Sequence, residues 1–353
     1  MAISTPHYLP RGVVHLSTAS PSNIITSSTN VIMSLKKVLL VGANGTLGSV
    51  LLEGLVSSKS FDVSVAKRES SKSTPAHAES ISIVTIPDDF AIDALVPALK
   101  GQDVVIASFP LTNVVDQHLR LAEASAKAGV KRFIPADFGS CDAQNEQAKK
   151  LLKLYRDKDE VRNKAIELVK EYPSFSWTSI VCGHFFDYGI RDGLLHTDLT
   201  TNTAVILDKG DVPASASTLS RVAESLVAVL KHPDSTKNRL LYVQSFCKTQ
   251  LEVVEALQKA TGVEWKKEFV DSDDFLKEQT DKMAVKYDPH ALEKIVFVLG
   301  ALDAEWPKRG DAFAMKELGL EDEDLDEVIT NIVKQWRKER EGRRRSDGMG
   351  LVI

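Results

Sequence analysis

The segment over residues 36–48 constrains this chain more than any other. A β-branched, apolar run from Lys36 to Val41 ends in Gly42-Ala43-Asn44-Gly45-Thr46-Leu47-Gly48, and Leu47, Val50, Leu51 and Leu55 then recur at helical spacing. Glycines three apart between a buried strand and an amphipathic helix suit the pyrophosphate of a dinucleotide. Gly42 makes the tight turn, Gly45 admits the ligand to the backbone, and Gly48 lets helix and strand pack closely, while the first N–H groups of the helix face the anion. Asn44, Thr46 and Leu47 complete the loop and join the glycines as candidate cofactor-binding positions.

The strand and helix alternation continues downstream. Strands are expected over 63–66, 81–86, 103–108, 132–135 and 176–181, with helices over 91–99, 115–128 and 155–171. This predicts an α/β chain with a Rossmann-type doubly wound parallel sheet over 36–181. After Gly183 the rhythm loosens into a turn-rich stretch over 189–213, a helix over 219–230, a strand over 240–243, a helix over 251–261 and further helices to 340. A smaller C-terminal substrate lobe over 182–353, interwoven with the core, is the expectation. Residues 1–35 are rich in Ser and Thr, hold no Asp or Glu and only one Arg, and read as a disordered extension. Their composition leaves a mitochondrial address open, and Met33 offers an alternative start.

Composition narrows the partners. A net charge of -5 gives no global basic field to draw phosphate backbones, so a nucleic-acid partner is not expected. No apolar run approaches the ~20 residues that cross a bilayer, and no secretory signal precedes Met33. Cys141, Cys182 and Cys247 stand far apart without a CxxC pair, which argues against a disulfide framework and against a metal site. These features predict a cytoplasmic protein, monomer or homodimer, whose partner is a small molecule.

The end of the second strand decides which dinucleotide is expected. NAD-binding folds place an acidic residue there to hold the ribose hydroxyls. Asp62 has a suitable count but lies at the strand's start, the wrong end of the sheet; the other end reads Val65-Ala66-Lys67-Arg68. Two cations favour a 2′-phosphate, because guanidinium pairs with it through forked, charge-assisted bonds. NADP(H) is therefore preferred over NAD(H), against the plain alternative of a solvated turn.

A reactive group is harder to read. Short-chain dehydrogenases commonly use a Tyr with a Lys four residues on, but Tyr155 has Lys158 at the third position and Asp159 at the fourth, and neither Tyr172 nor Tyr188 has the Lys. His184 lies just beyond the strand over 176–181, at the sheet edge where ligands of open α/β folds collect, and is a candidate substrate contact. Asp137 reads either as a site residue or as a helix cap for the segment that follows it.

Several segments in order resemble the atypical short-chain reductases that include isoflavone, pinoresinol-lariciresinol and phenylcoumaran benzylic ether reductases and the NmrA-like proteins, the fungal oxidoreductases of that group above all. Gly42 to Gly48 resembles the family's glycine loop, Arg68 its phosphate-binding arginine, and Lys131-Arg132-Phe133-Ile134-Pro135-Ala136-Asp137-Phe138-Gly139 its Arg-Phe-hydrophobic-Pro-Ser-Glu-Phe-Gly signature. Lys158-Asp159-Glu160-Val161-Arg162 with Ala165-Ile166-Glu167 looks like the helix that carries the family's catalytic Lys and a following Arg. The resemblance spans about 36–275 and implies NADPH-dependent reduction of a small aromatic or polyketide-like metabolite in secondary metabolism. It makes Lys158 the proton donor or acceptor, places Arg162 with the cofactor set, and lets Ser108 and Phe109 line the nicotinamide half.

Departures from the pattern matter too. Ala136-Asp137 replaces Ser-Glu, one extra residue separates Arg162 from Ala165, and Val181-Cys182-Gly183-His184-Phe185-Phe186 follows the substrate-side segment only in part, leaving Phe185 beside His184 as a substrate candidate. Two other readings stay open: a dinucleotide-sensing regulator that acts through a protein partner, and an extended short-chain epimerase or dehydratase, which the missing Tyr-Lys pair disfavours. Residues after about Phe275 are read as packing helices without a site.

Overall fold

The computed structural model describes residues 34–348; all but the last two residues of the extension expected over 1–35, and the alternative start at Met33, lie outside that range. Among the described residues no helix is long and apolar enough to cross a membrane. The first half alternates as β1 (Lys37–Val41), α1 (Thr46–Ser57), β2 (Asp62–Arg68), β3 (Ser82–Ile86), α2 (Ile92–Leu99), β4 (Val104–Ala107), α3 (Val115–Lys127), β5 (Arg132–Ile134), α4 (Glu146–Leu151), α5 (Lys153–Glu171) and β6 (Thr178–Val181). Strands β1 to β5 form one parallel sheet in the order β3-β2-β1-β4-β5. A parallel bridge from Phe133 to Trp177 leads on to β6.

Strand β1 shows why the sheet is buried on both faces. Its side chains alternate sides, and both sides are apolar because helices cover both. Val38 and Leu40 pack with Leu51, Leu52 and Leu55 of α1, whereas Leu39 and Val41 pack with Leu95 and Leu99 of α2, Leu121 of α3 and Val161 of α5.

The second half is β7 (His184–Phe185), α6 (Phe186–Arg191), β8 (Thr197–Asp198), β9 (Thr203–Leu207), β10 (Ala214–Ser217), α7 (Leu219–Lys231), β11 (Arg239–Tyr242), β12 (Phe246–Lys248), α8 (Gln250–Thr261), β13 (Lys266–Val270), α9 (Ser272–Val285), α10 (Pro289–Leu302) and α11 (Leu325–Gly348). It does not begin with a clean departure from the core. Strand β11 pairs in parallel with β6, and Val222, Leu226 and Val229 of α7 share a cluster with α1. The stretch over 189–213, expected to be turns, contains the end of α6 with β8 and β9, and β9 pairs in parallel with β13. Helix α10 packs Ile295, Val298 and Leu299 against Cys141, Leu152 and Tyr155, which brings the late part of the chain onto the core.

Candidate functional site

Strands β1 and β4 are adjacent and end level, with Val41 opposite Ala107, so the chain leaves the sheet at Gly42 and Ser108 side by side. This is the switch point of the sheet, where open α/β folds bind ligands. Gly42 has φ of 95°, and a Cβ there would stand 2.8 Å from the Phe109 amide nitrogen; a Cβ on Gly48 would stand 2.0 Å from the Gly42 carbonyl oxygen. Those two positions exclude side chains for packing reasons alone. A Cβ on Gly45 meets nothing nearer than 3.5 Å, and Gly45 caps α1 without a side-chain bond, so the first amides of that helix stay available.

A cavity of about 360 Å³ opens over this turn. Gly42, Asn44, Gly45, Lys67, Arg68, Ser108 and Phe109 line it, as the sequence reading requires of a cofactor groove. Thr46, Leu47 and Gly48 do not: Thr46 is exposed, Leu47 packs on the core and Gly48 is buried against Gly42, which leaves Leu47 and Gly48 only their backbone to offer. Sequence reasoning missed the hydroxyls at the cationic end. Asn44 Nδ2 donates to Ser73 Oγ at 2.7 Å, and Ser71 Oγ lies 2.9 Å from Ser73 Oγ, so two serines close the groove beside Arg68. The groove fits a phosphorylated dinucleotide on three counts: a glycine floor that a Cβ would fill, free helix amides, and two cations with hydroxyls at one end.

A second cavity, of about 250 Å³, gathers Lys158 from α5, His184 and Phe185 from β7, Ser140 and Tyr155, and Val296 and Phe297 from α10. A third hollow, of about 330 Å³, shares Thr112 with the first and Leu154 and Leu292 with the second. The segment before Lys158 is sharply turned: Asp137 N donates to Pro135 O at 2.8 Å and Phe138 has φ of 31°. The turn points the Asp137 carbonyl at Lys158 Nζ, which donates to it. Burial pushes the Lys158 ammonium below its ordinary value, with Asp137 opposing the shift. The presence of α10 here corrects the expectation that residues beyond Phe275 serve only packing.

Arg162 is placed differently from the expectation. It is 2% exposed, its Nε donates to Asp137 Oδ2 at 3.0 Å, its Nη2 donates to the same oxygen, and its Nη1 donates to Asp142 Oδ1 at 3.0 Å. Burial works against the charge, but the two carboxylates raise its pKa regardless. Arg162 is thus turned onto two carboxylates and is not among the residues that line the first cavity. Asp137 is correspondingly its ion-pair partner and not a helix cap; Asn145 caps the next helix, α4.

Phe109 owes its position to a residue that sequence reasoning did not single out. The ring of His118 stacks on it with centroids 3.7 Å apart, and Nε2 of His118 sits 3.2 Å from Pro110 O, which only a protonated Nε2 can satisfy. Burial lowers the His118 pKa to about 4. The unfolded chain therefore takes up a proton near pH 6.5 that the folded chain refuses until about pH 4. Stability is expected to hold above pH 6.5 and to fall between 6.5 and 4, by about 3 kcal/mol for this one ring. Melting temperatures of wild type and His118→Phe across that window check the point: the variant should lose less, and parallel curves would disprove it.

Comparison with known proteins gives the family and the fold. A model of the NmrA-like family matches residues 34–329. The oxidoreductase aprR of Aspergillus flavus is 34% identical over 309 residues, covering 84% of this chain and 99% of its own. The isoflavone reductase homolog IRL of Zea mays is 28% identical over 257 residues, covering 69% and 80%. Among solved structures, those of pinoresinol-lariciresinol and phenylcoumaran benzylic ether reductases superpose with a TM-score of 0.68 at 20% identity over 84% of this chain and 99% of the other. The leucoanthocyanidin reductase–NADPH complex from Vitis vinifera gives 0.67 at 18% over the same shares.

Proposed function

The chain belongs to the NmrA-like family, and from that premise we propose that it is an NADPH-dependent reductase of a small aromatic or polyketide-like metabolite in secondary metabolism. One observation carries the reading: the glycine turn and Arg68 line one cavity, Lys158 lines another, and a third hollow shares lining residues with both. Gly42, Gly45 and the first amides of α1 hold the pyrophosphate, Arg68 with Lys67 and the serines holds the 2′-phosphate, and Ser108 and Phe109 flank the nicotinamide side. Bound NADPH supplies a hydride. Lys158 supplies the proton for the substrate oxygen, its ammonium held by Asp137 O and made a better acid by burial. His184 and Phe185 contact the substrate, and the apolar wall from α10 excludes water.

The test is a calorimetric titration with NADPH and with NADH. Replacing Arg68 by Ala removes charge-assisted bonds to a phosphate that NADH lacks, so NADPH binding should weaken about ten- to a hundred-fold and NADH binding should scarcely change. Equal losses for the two nucleotides would refute the NADP(H) assignment. NADPH binding without oxidation across a panel of phenolic and carbonyl compounds would instead fit a dinucleotide-sensing regulator.

A further inference from the structure

Lys158 stands in the second cavity without a carboxylate of its own. Among the described residues no carboxylate oxygen lies within ion-pair distance of Nζ, whose one hydrogen bond runs to the Asp137 carbonyl. The Asp137 carboxylate is bound by Arg162, one turn along α5, and the guanidinium offsets its charge. The other ionisable groups around Nζ are neutral near neutral pH. Burial holds the Cys141 and Cys182 thiols up at about 12, keeps the Tyr155 phenol protonated and pushes the His184 ring down to about 4. Glu293 also lines the cavity, but its carboxylate reaches out to His290, 3.6 Å away. Much of the remaining wall is apolar, from Leu154, Phe185, Leu195, Leu292, Val296 and Phe297. A lysine desolvated in such a pocket beside a second cation loses its proton more readily than a surface lysine, and the free amine is a nucleophile. Burial does push Lys158 below its ordinary value.

We propose that Lys158 is a covalent carbonyl-trapping site, which forms an imine with an uncharged aldehyde of about one aromatic ring in size. The inference concerns the amine alone and does not rest on the reductase reading above. Size follows from the space: benzene fills an apolar cavity of roughly 150 Å³, and this one has about 250 Å³. Donating one N–H to Asp137 O leaves the lone pair of the neutral amine to face the cavity. That pair forms the C–N bond while the carbonyl π pair moves to oxygen, which takes up the proton that nitrogen loses. The carbinolamine then gives up its hydroxyl with the second N–H proton as water, and C=N forms. Aldehyde and amine thus give imine and water, with no change of oxidation state and no further reactant. Taking one proton from solvent turns the imine into an iminium with a single N–H, and the Asp137 carbonyl that Nζ already donates to is the acceptor for it.

The test is reductive trapping on the full chain near neutral pH, with benzaldehyde as probe and cyanoborohydride to fix the iminium as a stable amine, read by peptide mass mapping. Lys158 should take the adduct about ten-fold or more faster than any surface lysine, because its amine is free and the cavity holds the aldehyde against it. Labelling should rise with pH, since only the unprotonated amine attacks, and should do so at lower pH than for the surface lysines. Lys158→Arg should remove the fast adduct. Leu292→Glu sets a carboxylate in the cavity wall that favours the ammonium, so it should slow labelling about ten-fold, whereas Leu292→Gln should slow it far less. Unchanged melting temperatures show that each variant is folded. An adduct spread evenly over surface lysines, a fast adduct that survives Lys158→Arg, no adduct at all, or equal rates in Leu292→Glu and Leu292→Gln overturns the inference. Failure of the chain to bind NADPH overturns the reductase reading instead and leaves the trapping result to stand by itself.

Discussion

Arg162→Ala is expected to cost about 3–5 kcal/mol of folding stability, the range for a buried ion pair that loses one partner. The side chain is 2% exposed and Asp137 is equally enclosed, so truncation strips a water-excluded carboxylate of its hydrogen-bonded counter-ion and leaves only Lys158 as a cation nearby. Asp142 is less affected, because Tyr242 donates to its other oxygen at 2.7 Å. Urea unfolding of the variant measures the loss. Replacing Arg162 and Asp137 together by Leu should recover part of it, since removing both charges removes the desolvation penalty as well. NADPH affinity of the folded Arg162→Ala protein should stay at the wild-type level. A variant of normal stability with weakened NADPH binding would return Arg162 to the cofactor.

The contrast between Arg68 and Arg162 shows what could be read from sequence. Arg68 was assigned from the direction of one strand: β2 runs parallel to β1, so its last residue must reach the ligand end of the sheet, and the cavity is lined by it there. Gly42 and Gly48 were legible for a similar reason, because a tight turn and a close crossing are local demands that glycine alone meets. Arg162 shares a helix with Lys158, but its environment is set by Asp137 and Asp142, 25 and 20 residues away. No local pattern says that a guanidinium four residues from a cavity-lining lysine faces inward onto carboxylates. Helix α10 escaped for the same reason, since Val296 reaches His184 across 112 residues. Strands β7 and β8 have two residues each, too few to show a period of two, whereas Thr203–Leu207 is an apolar run before a Gly-containing turn and could have been found.

Lys158→Ala is expected to lower kcat about 10²- to 10⁴-fold, the range for losing a positioned proton donor, while NADPH binding stays unchanged. The separation follows from placement: Lys158 lines the second cavity and is absent from the wall of the first. Its pH profile gives an independent sign. A donor must be protonated, so kcat should fall as pH rises through the pKa of Lys158, and burial brings that fall below the range of a free lysine. Lys158→Arg separates charge from proton transfer. A guanidinium can still hold a developing oxyanion but does not release its proton near neutral pH, so the variant should keep substrate affinity, regain little turnover and lose the alkaline limb. Full turnover in Lys158→Ala would remove the lysine from the chemistry.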